Sequence, residues 1–155
     1  NKIKKIKKTN IPLLLKISPD INNDYIPEIA DAAIKKNISA IILTNTTNGN
    51  KDNLINELKK EEGGLSGNPL NQISTNMIKK FYKIINNKIP IIGVGGIDSG
   101  KSAYEKIIAG ASLLQIYTGF VYKGPIVAKS IKKELIQILK FEGVKNIKDI
   151  IGKGV

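Results

Sequence analysis

Short apolar runs alternate along the chain with longer segments in which apolar residues recur every three or four positions. Four runs predict strands, at 12–18, 39–45, 90–94 and 112–117. Four segments predict helices that bury one face, at 25–36, 74–85, 104–109 and 125–142. A strand followed by a helix, repeated in this way, indicates βα units around a parallel sheet.

Strands that are this continuously apolar are expected to be buried on both faces, as in a doubly wound sheet or a (β/α)8 barrel. A complete barrel takes about 250 residues, whereas this chain has 155. We therefore predict an α/β fold, and if it is a TIM barrel, the four units are about half of it. Open strand edges and an exposed apolar inner face would make such a half-barrel aggregate, dimerise or need its other half.

One connection, at 46–71, is much longer than the others and lacks clear periodicity. Loops of this length in compact domains are usually lids or binding loops, or else disordered. Its polar first part, at 48–62, is compatible with either alternative. Its second part, GGLSGNPL at 63–70, predicts a glycine-rich turn whose backbone can approach a ligand closely.

The composition restricts the chemistry. Cys and His are absent, which excludes disulfides, thiolate catalysis, the usual zinc sites and Ser-His machinery. Lys, Asp, Glu, Ser, Thr, Tyr or a bound cofactor remain as reactive groups. No stretch approaches the roughly 18 to 20 apolar residues of a membrane-spanning helix, and no signal-peptide pattern follows the basic start, so we expect a soluble piece.

All 25 basic residues are Lys, against 13 acidic residues, for a formal net charge of +12. A basic module that binds nucleic acid is one hypothesis, since clustered Lys can neutralise phosphates; it would use Lys2, Lys4, Lys5, Lys7 and Lys8. Lys, Asn and Ile are all unusually frequent, however. This pattern indicates a general bias in composition, with the Lys side chains on solvated surfaces, and not a specific binding face. We predict no nucleic-acid partner.

Ligands of parallel α/β proteins bind outside the carboxyl ends of the strands, where this sequence places polar groups. The first strand contains Lys16, a cation that is costly to bury unless it meets an anion or an electron-rich cofactor; alternatively, it extends past the sheet into water. The second strand ends in Thr44-Asn45-Thr46-Thr47. These hydroxyl and carboxamide groups suit a planar heterocycle or a carboxylate, although they also suit an ordinary turn.

The third and fourth strands end in Gly93-Val94-Gly95-Gly96-Ile97-Asp98 and in Tyr117-Thr118-Gly119. Such loops could bind a phosphate through backbone N–H groups, without Arg, at the position where barrels often build a phosphate site. Alternatively, Gly95 and Gly96 only make a tight turn. The dinucleotide-binding fingerprint is not matched, because Asp98 stands where its last glycine is required.

Five motifs together resemble the carboxyl-terminal half of a class 2, quinone-dependent dihydroorotate dehydrogenase. They are PLLLKISPD at 12–20, ILTNTT at 42–47, GGLSGNPL at 63–70, IPIIGVGGIDSG at 89–100 and EKIIAGASLLQIYTGFVYKGP at 105–125. The resemblance implies an FMN-binding barrel that oxidises dihydroorotate to orotate in de novo pyrimidine (UMP) biosynthesis and passes the electrons to a quinone. Another FMN- or phosphate-binding barrel enzyme, a phosphate-binding homodimer and a non-catalytic basic fragment are the alternatives.

The resemblance also implies two groups of site residues. The cofactor contacts are Lys16, Thr44, Ser66, Gly67, Gly95, Gly96, Tyr117 and Thr118. The substrate contacts are Asn45 and Thr46. No metal site is implied, and the catalytic base is a serine in a loop of the amino-terminal half, which these motifs do not include. We therefore expect this chain alone to be inactive.

The resemblance divides the chain into residues 1–11, a charged connecting segment, and residues 12–155, the half of the FMN-binding barrel. It further implies membrane association through an amino-terminal part. For a eukaryotic protein the expected location is the mitochondrial inner membrane.

Overall fold

A four-stranded parallel sheet forms the centre of the computed structural model, which describes residues 11–49, 51 and 54–155. Its strands are β1 (Leu14–Ile17), β2 (Ala40–Leu43), β3 (Ile91–Val94) and β4 (Leu113–Gln115), adjacent in that order. Each strand is parallel to its neighbours. The predicted parallel α/β architecture is confirmed, while residues 1–10 of the predicted connecting segment lie outside the described residues.

The helices are α1 (Ile26–Lys35), α2 (Asn71–Ile85), α3 (Gly100–Ile108), α4 (Thr118–Lys123) and α5 (Val127–Phe141). Short 3-10 turns lie at Asn23–Tyr25, Glu57–Lys60, Asn68–Leu70 and Ile147–Ile150. The four predicted helices are confirmed within a few residues. The sequence prediction missed α4, since six residues are too few to show a helical period.

Local sequence explains where the helices begin. The Ser99 hydroxyl accepts a hydrogen bond from the backbone N–H of Ser102, and the Ser102 hydroxyl accepts one from the N–H of Ser99. This capping box satisfies N–H groups that have no partner inside α3. In α1, Pro27 occupies the first turn, where a missing N–H costs nothing.

The two faces of the sheet have different surroundings. One face is covered by helices and forms the main core, made by Ile17, Ile41, Leu43 and Ile91 together with Ala30, Ala33, Ile78, Phe81 and Ile85. On the other face, Leu14, Lys16, Leu113 and Gln115 are exposed. The expectation that every strand is buried on both faces is therefore wrong for β1 and β4, because no described residue covers this face at the two edges of the sheet.

The long connection after β2 pairs with itself and contacts the segment that follows β1. Thr47 and Leu65 exchange backbone hydrogen bonds of 3.1 and 2.7 Å across an antiparallel bridge. The Asp20 carboxylate accepts hydrogen bonds from the Thr47 hydroxyl and from the backbone N–H of Asn48, the latter at 2.8 Å. These contacts bring the glycine-rich turn close to the carboxyl ends of the strands. None of the helices in the described ranges is both long and apolar enough to span a membrane.

Candidate functional site

A cavity of about 240 Å³ lies at the carboxyl ends of the four strands. All ten residues predicted to contact a cofactor or a substrate line it: Lys16, Thr44, Asn45, Thr46, Ser66, Gly67, Gly95, Gly96, Tyr117 and Thr118. They come from five separate parts of the chain, and the parallel sheet brings them together. Five further residues line the cavity: Leu70, Val94, Ile97 and Gly119, which belong to motifs named above but were not predicted contacts, and Gln115 of β4.

Lys16 lies on the uncovered face of the sheet, beside Ile42 of β2. Its side chain is exposed, which agrees with the alternative that Lys16 extends past the sheet and not with burial inside it. The reason is the position of β1 at an edge, where one side of Lys16 meets no described residue. Gln115 lines the same cavity from β4, and its signal in the sequence was a polar residue inside an apolar strand.

Backbone pairing that continues past β2 positions the residues after it. The Thr44 N–H donates to the Val94 carbonyl at 3.1 Å, and the Asn45 N–H donates to the Ile17 carbonyl at 2.8 Å. The Thr44 side chain is buried, and its Oγ1 atom has no hydrogen-bond partner among the described residues. An unpaired buried hydroxyl is unfavourable, and this one lines the cavity. The Asn45 and Thr46 side chains are exposed and free to meet a ligand.

The glycine-rich turn contacts the segment that follows β4. The Thr118 hydroxyl donates a 2.8 Å hydrogen bond to the Ser66 hydroxyl. Gly67 has a φ of +82°, and a Cβ atom added there would lie 3.0 Å from the Cγ2 atom of Thr118. Both the left-handed backbone and the close approach require glycine at this position.

Gly95 and Gly96 form a tight turn after β3, with φ angles of +115° and +70°. A Cβ atom at Gly96 would lie 2.5 Å from the Asn71 Cβ atom and 2.8 Å from the Asn71 backbone N. Ser74, also in α2, donates a 2.5 Å hydrogen bond from its hydroxyl to the Val94 carbonyl. The turn is thus packed against the beginning of α2, with its other side open to the cavity.

Two cations flank this turn in different environments. Lys106 of α3 is fully buried, and burial lowers its pKa from 10.5 to about 7, although nearby Glu105 opposes the shift. Lys123 of α4 is exposed and pairs with Asp98 at 3.4 Å. The sequence prediction assigned no role to Lys106, whose place on a helical surface resembled that of the other lysines.

Four parallel βα units with a ligand-sized cavity at the carboxyl ends of the strands define this chain as part of an α/β barrel protein. A family model for dihydroorotate dehydrogenase matches residues 1–139. The chain belongs to the dihydroorotate dehydrogenase family, so the predicted family resemblance is confirmed.

Curated relatives carry quinone-dependent names. The chain is 45% identical over 142 residues to the mitochondrial dihydroorotate dehydrogenase (quinone) of Arabidopsis thaliana, covering 91% of this chain and 31% of that protein. It is 53% identical over 134 residues to the dihydroorotate dehydrogenase (quinone) of Wigglesworthia glossinidia brevipalpis, covering 86% of this chain and 40% of that protein. The chain therefore spans less than half the length of these relatives.

The fold comparison gives the same family. A crystal structure of DHODH from Eimeria tenella in complex with ferulenol matches with a TM-score of 0.88 and 43% sequence identity. The match covers 92% of this chain and 38% of that one. The four βα units described above thus correspond to part of a dihydroorotate dehydrogenase barrel.

Proposed function

We propose that the protein containing this chain oxidises dihydroorotate to orotate, with FMN as the redox cofactor and a quinone as the electron acceptor, in de novo pyrimidine biosynthesis. One observation carries the proposal: ten residues chosen from sequence motifs line a single cavity at the carboxyl ends of the strands. Membership of the family supports the reaction, and the names of the relatives support the acceptor.

The cavity has the groups that an FMN molecule needs. Thr44 offers a buried hydroxyl without a partner among the described residues, suited to a polar atom of the flavin. Ser66 and Gly67 would lie along the cofactor. We propose that Gly95, Gly96, Tyr117 and Thr118, called the phosphate end below, receive the phosphate group. When bound, FMN supplies the two-electron acceptor that the oxidation requires.

At the opposite end of the cavity, polar and charged side chains are available to contact the cofactor and the substrate. We call Lys16, Asn45 and Thr46 the ring end. The Lys16 ammonium would contact the pyrimidine edge of the flavin, where a positive charge stabilises the negative charge that develops as electrons arrive. Asn45 and Thr46 would donate hydrogen bonds to the orotate ring or carboxylate and so orient the substrate.

The cellular location is also a proposal. Relatives from Arabidopsis thaliana and Mus musculus are named mitochondrial. We propose association with a membrane surface, where a quinone is available, through an amino-terminal part of the protein. In a eukaryote this would be the mitochondrial inner membrane.

An absorbance spectrum of the purified full-length protein tests the function directly. We expect a flavin band that bleaches when dihydroorotate is added without oxygen and returns when a soluble quinone is added. A preparation that binds FMN but is not reduced by dihydroorotate would favour another FMN-binding barrel enzyme. A preparation that binds no flavin would contradict the proposal and remove the roles given to the ring end.

A further inference from the structure

Lys106 is a fully buried cation that makes no salt bridge within the described ranges. A buried ammonium group is costly unless hydrogen bonds replace its water. Its Nζ atom donates to three oxygen atoms, each at 2.6 Å: the Asn71 carbonyl, the Asn71 Oδ1 atom and the Thr75 Oγ1 atom. The number of acceptors equals the number of N–H donors on an ammonium group.

These hydrogen bonds all end on the first turns of α2. Asn71 is the first residue of that helix, and the Thr75 hydroxyl donates to the same Asn71 carbonyl at 2.9 Å. Two oxygen atoms of Asn71 are thereby held by one ammonium group. The position of Asn71 relative to α3 is consequently determined by Lys106.

Asn71 in turn limits where the turn after β3 can lie. The Cβ position of Gly96 is 2.5 Å from the Asn71 Cβ atom, 2.7 Å from its Cα atom and 2.8 Å from its backbone N. No side chain fits between the two residues, so a displacement of Asn71 would displace Gly96 or leave a gap behind it. Gly96 itself lines the cavity.

We propose that Lys106 is a positioning residue, which fixes Asn71 and through Asn71 the Gly95–Gly96 turn in the arrangement that receives the phosphate group of the cofactor. This inference rests on the proposed function. Lys106 does not line the cavity itself. Its hydrogen bonds end on Asn71, which packs against the phosphate end. Loss of Lys106 should therefore affect ligand binding at the phosphate end only. A merely structural role in joining α2 to α3 would affect both ends equally.

The test compares two ligands that differ by the phosphate group. The full-length protein is stripped of flavin, and the dissociation constants of FMN and of riboflavin are measured for the wild type and for Lys106→Met. We expect the Kd of FMN to rise about tenfold, since loss of a supporting contact typically weakens a site by that amount or more. The Kd of riboflavin should stay within about twofold of the wild type, because its contacts do not include the phosphate end.

The control is Lys101→Met, which removes an exposed cation from the same helix. It should leave both dissociation constants unchanged. The inference would be overturned if the Kd of FMN were the same for the wild type and Lys106→Met, or if the substitution raised the Kd of FMN and the Kd of riboflavin by the same factor. A wild-type protein that binds no FMN would contradict the proposed function instead, so the two failures are distinguishable.

A milder variant covers the case in which Lys106→Met does not fold. Thr75→Val keeps the shape of the side chain, removes one of the three acceptors of Lys106 and also removes the hydrogen bond that Thr75 donates to the Asn71 carbonyl. We expect the same selective loss of FMN affinity at a smaller size, about threefold, with riboflavin unaffected. Unchanged FMN affinity in a folded Thr75→Val protein, or parallel weakening of both ligands, would overturn the inference.

Discussion

The two ends of the cavity are built from different material. At the ring end, Lys16, Asn45 and Thr46 present exposed side chains. At the phosphate end, Gly95 and Gly96 present backbone in left-handed conformations, packed against Asn71 of α2. Side chains that contact little else can be replaced without affecting the fold, whereas a backbone turn cannot change without its neighbours. Substitutions at the ring end are therefore expected to reduce activity without reducing stability, whereas substitutions at the phosphate end should reduce both.

The strongest effect is expected from Lys16→Ala in the full-length protein. The rate of flavin reduction by dihydroorotate should fall at least about 100-fold, the usual cost of removing one group that stabilises developing charge. Thermal stability and FMN content should stay near wild-type values, because Lys16 is exposed and no described residue depends on it for a hydrogen bond. Anaerobic stopped-flow measurements report the rate, and a wild-type rate would contradict the role given to Lys16.

At the phosphate end, Gly96→Ala should damage binding and stability together. The substitution places a Cβ atom in contact with Asn71 and a non-glycine residue at a φ of +70°. We expect the free energy of unfolding to fall by about 2 kcal/mol and FMN to bind at least about tenfold more weakly.

Gly124→Ala is the matched control for that experiment. Gly124 has nearly the same φ, +68°, but a Cβ atom there meets nothing within 4 Å. Gly124 has a ψ of −172°, a conformation that almost only glycine adopts, so Gly124→Ala should lower the free energy of unfolding by about 1 to 3 kcal/mol while FMN affinity stays unchanged. Equal effects of the two variants on FMN affinity would contradict the packing argument for Gly96.

Asn45→Ala sharpens the comparison within the ring end. Loss of one hydrogen bond to the substrate should raise KM for dihydroorotate about tenfold, with the Kd of FMN unchanged. Steady-state kinetics measure the first quantity and flavin titration the second. Asn48→Ala, an exposed position three residues along that is absent from the cavity lining, is the control. Unchanged KM in Asn45→Ala would remove Asn45 from the substrate contacts.

The smallest effect concerns the pH dependence of stability near the phosphate end. Burial lowers the pKa of Lys106 from 10.5 to about 7. Between these values the unfolded chain binds more protons at Lys106 than the folded one, so its contribution to the free energy of unfolding rises with pH. Below about pH 7 the group is protonated in both states, and the contribution becomes constant.

Denaturation of wild type and Lys106→Met at pH 7 and pH 9 measures this contribution. The free energy of unfolding of the wild type, relative to that of Lys106→Met, should rise by about 1 to 2 kcal/mol between pH 7 and pH 9. Glu105 is the charged neighbour that opposes the shift. A difference that does not change with pH would show that the three hydrogen bonds of Lys106 keep the ammonium charged.

The hydrophobic periodicity of the sequence was sufficient to predict the parallel α/β architecture. Runs such as 39–45 and 90–94 became β2 and β3 because a continuous apolar segment of this length is stable only when it is paired and covered. Polar residues at the strand ends predicted a common site, since parallel strands place their carboxyl ends at the same edge. Short elements such as α4 were missed, because one and a half turns carry no measurable period.

Two outcomes depended on tertiary structure. The sequence left open whether Lys16 is buried or exposed, and the structure exposes it, because burial at an edge strand depends on what covers the sheet, which the local sequence does not report. Lys106 follows helical spacing like many surface lysines, and only the packing of α3 against α2 encloses it and brings Asn71 within 2.6 Å. The sequence by itself determined the elements and the chemistry at their ends. Tertiary structure decided burial, because burial is a property of the neighbours that a residue acquires on folding.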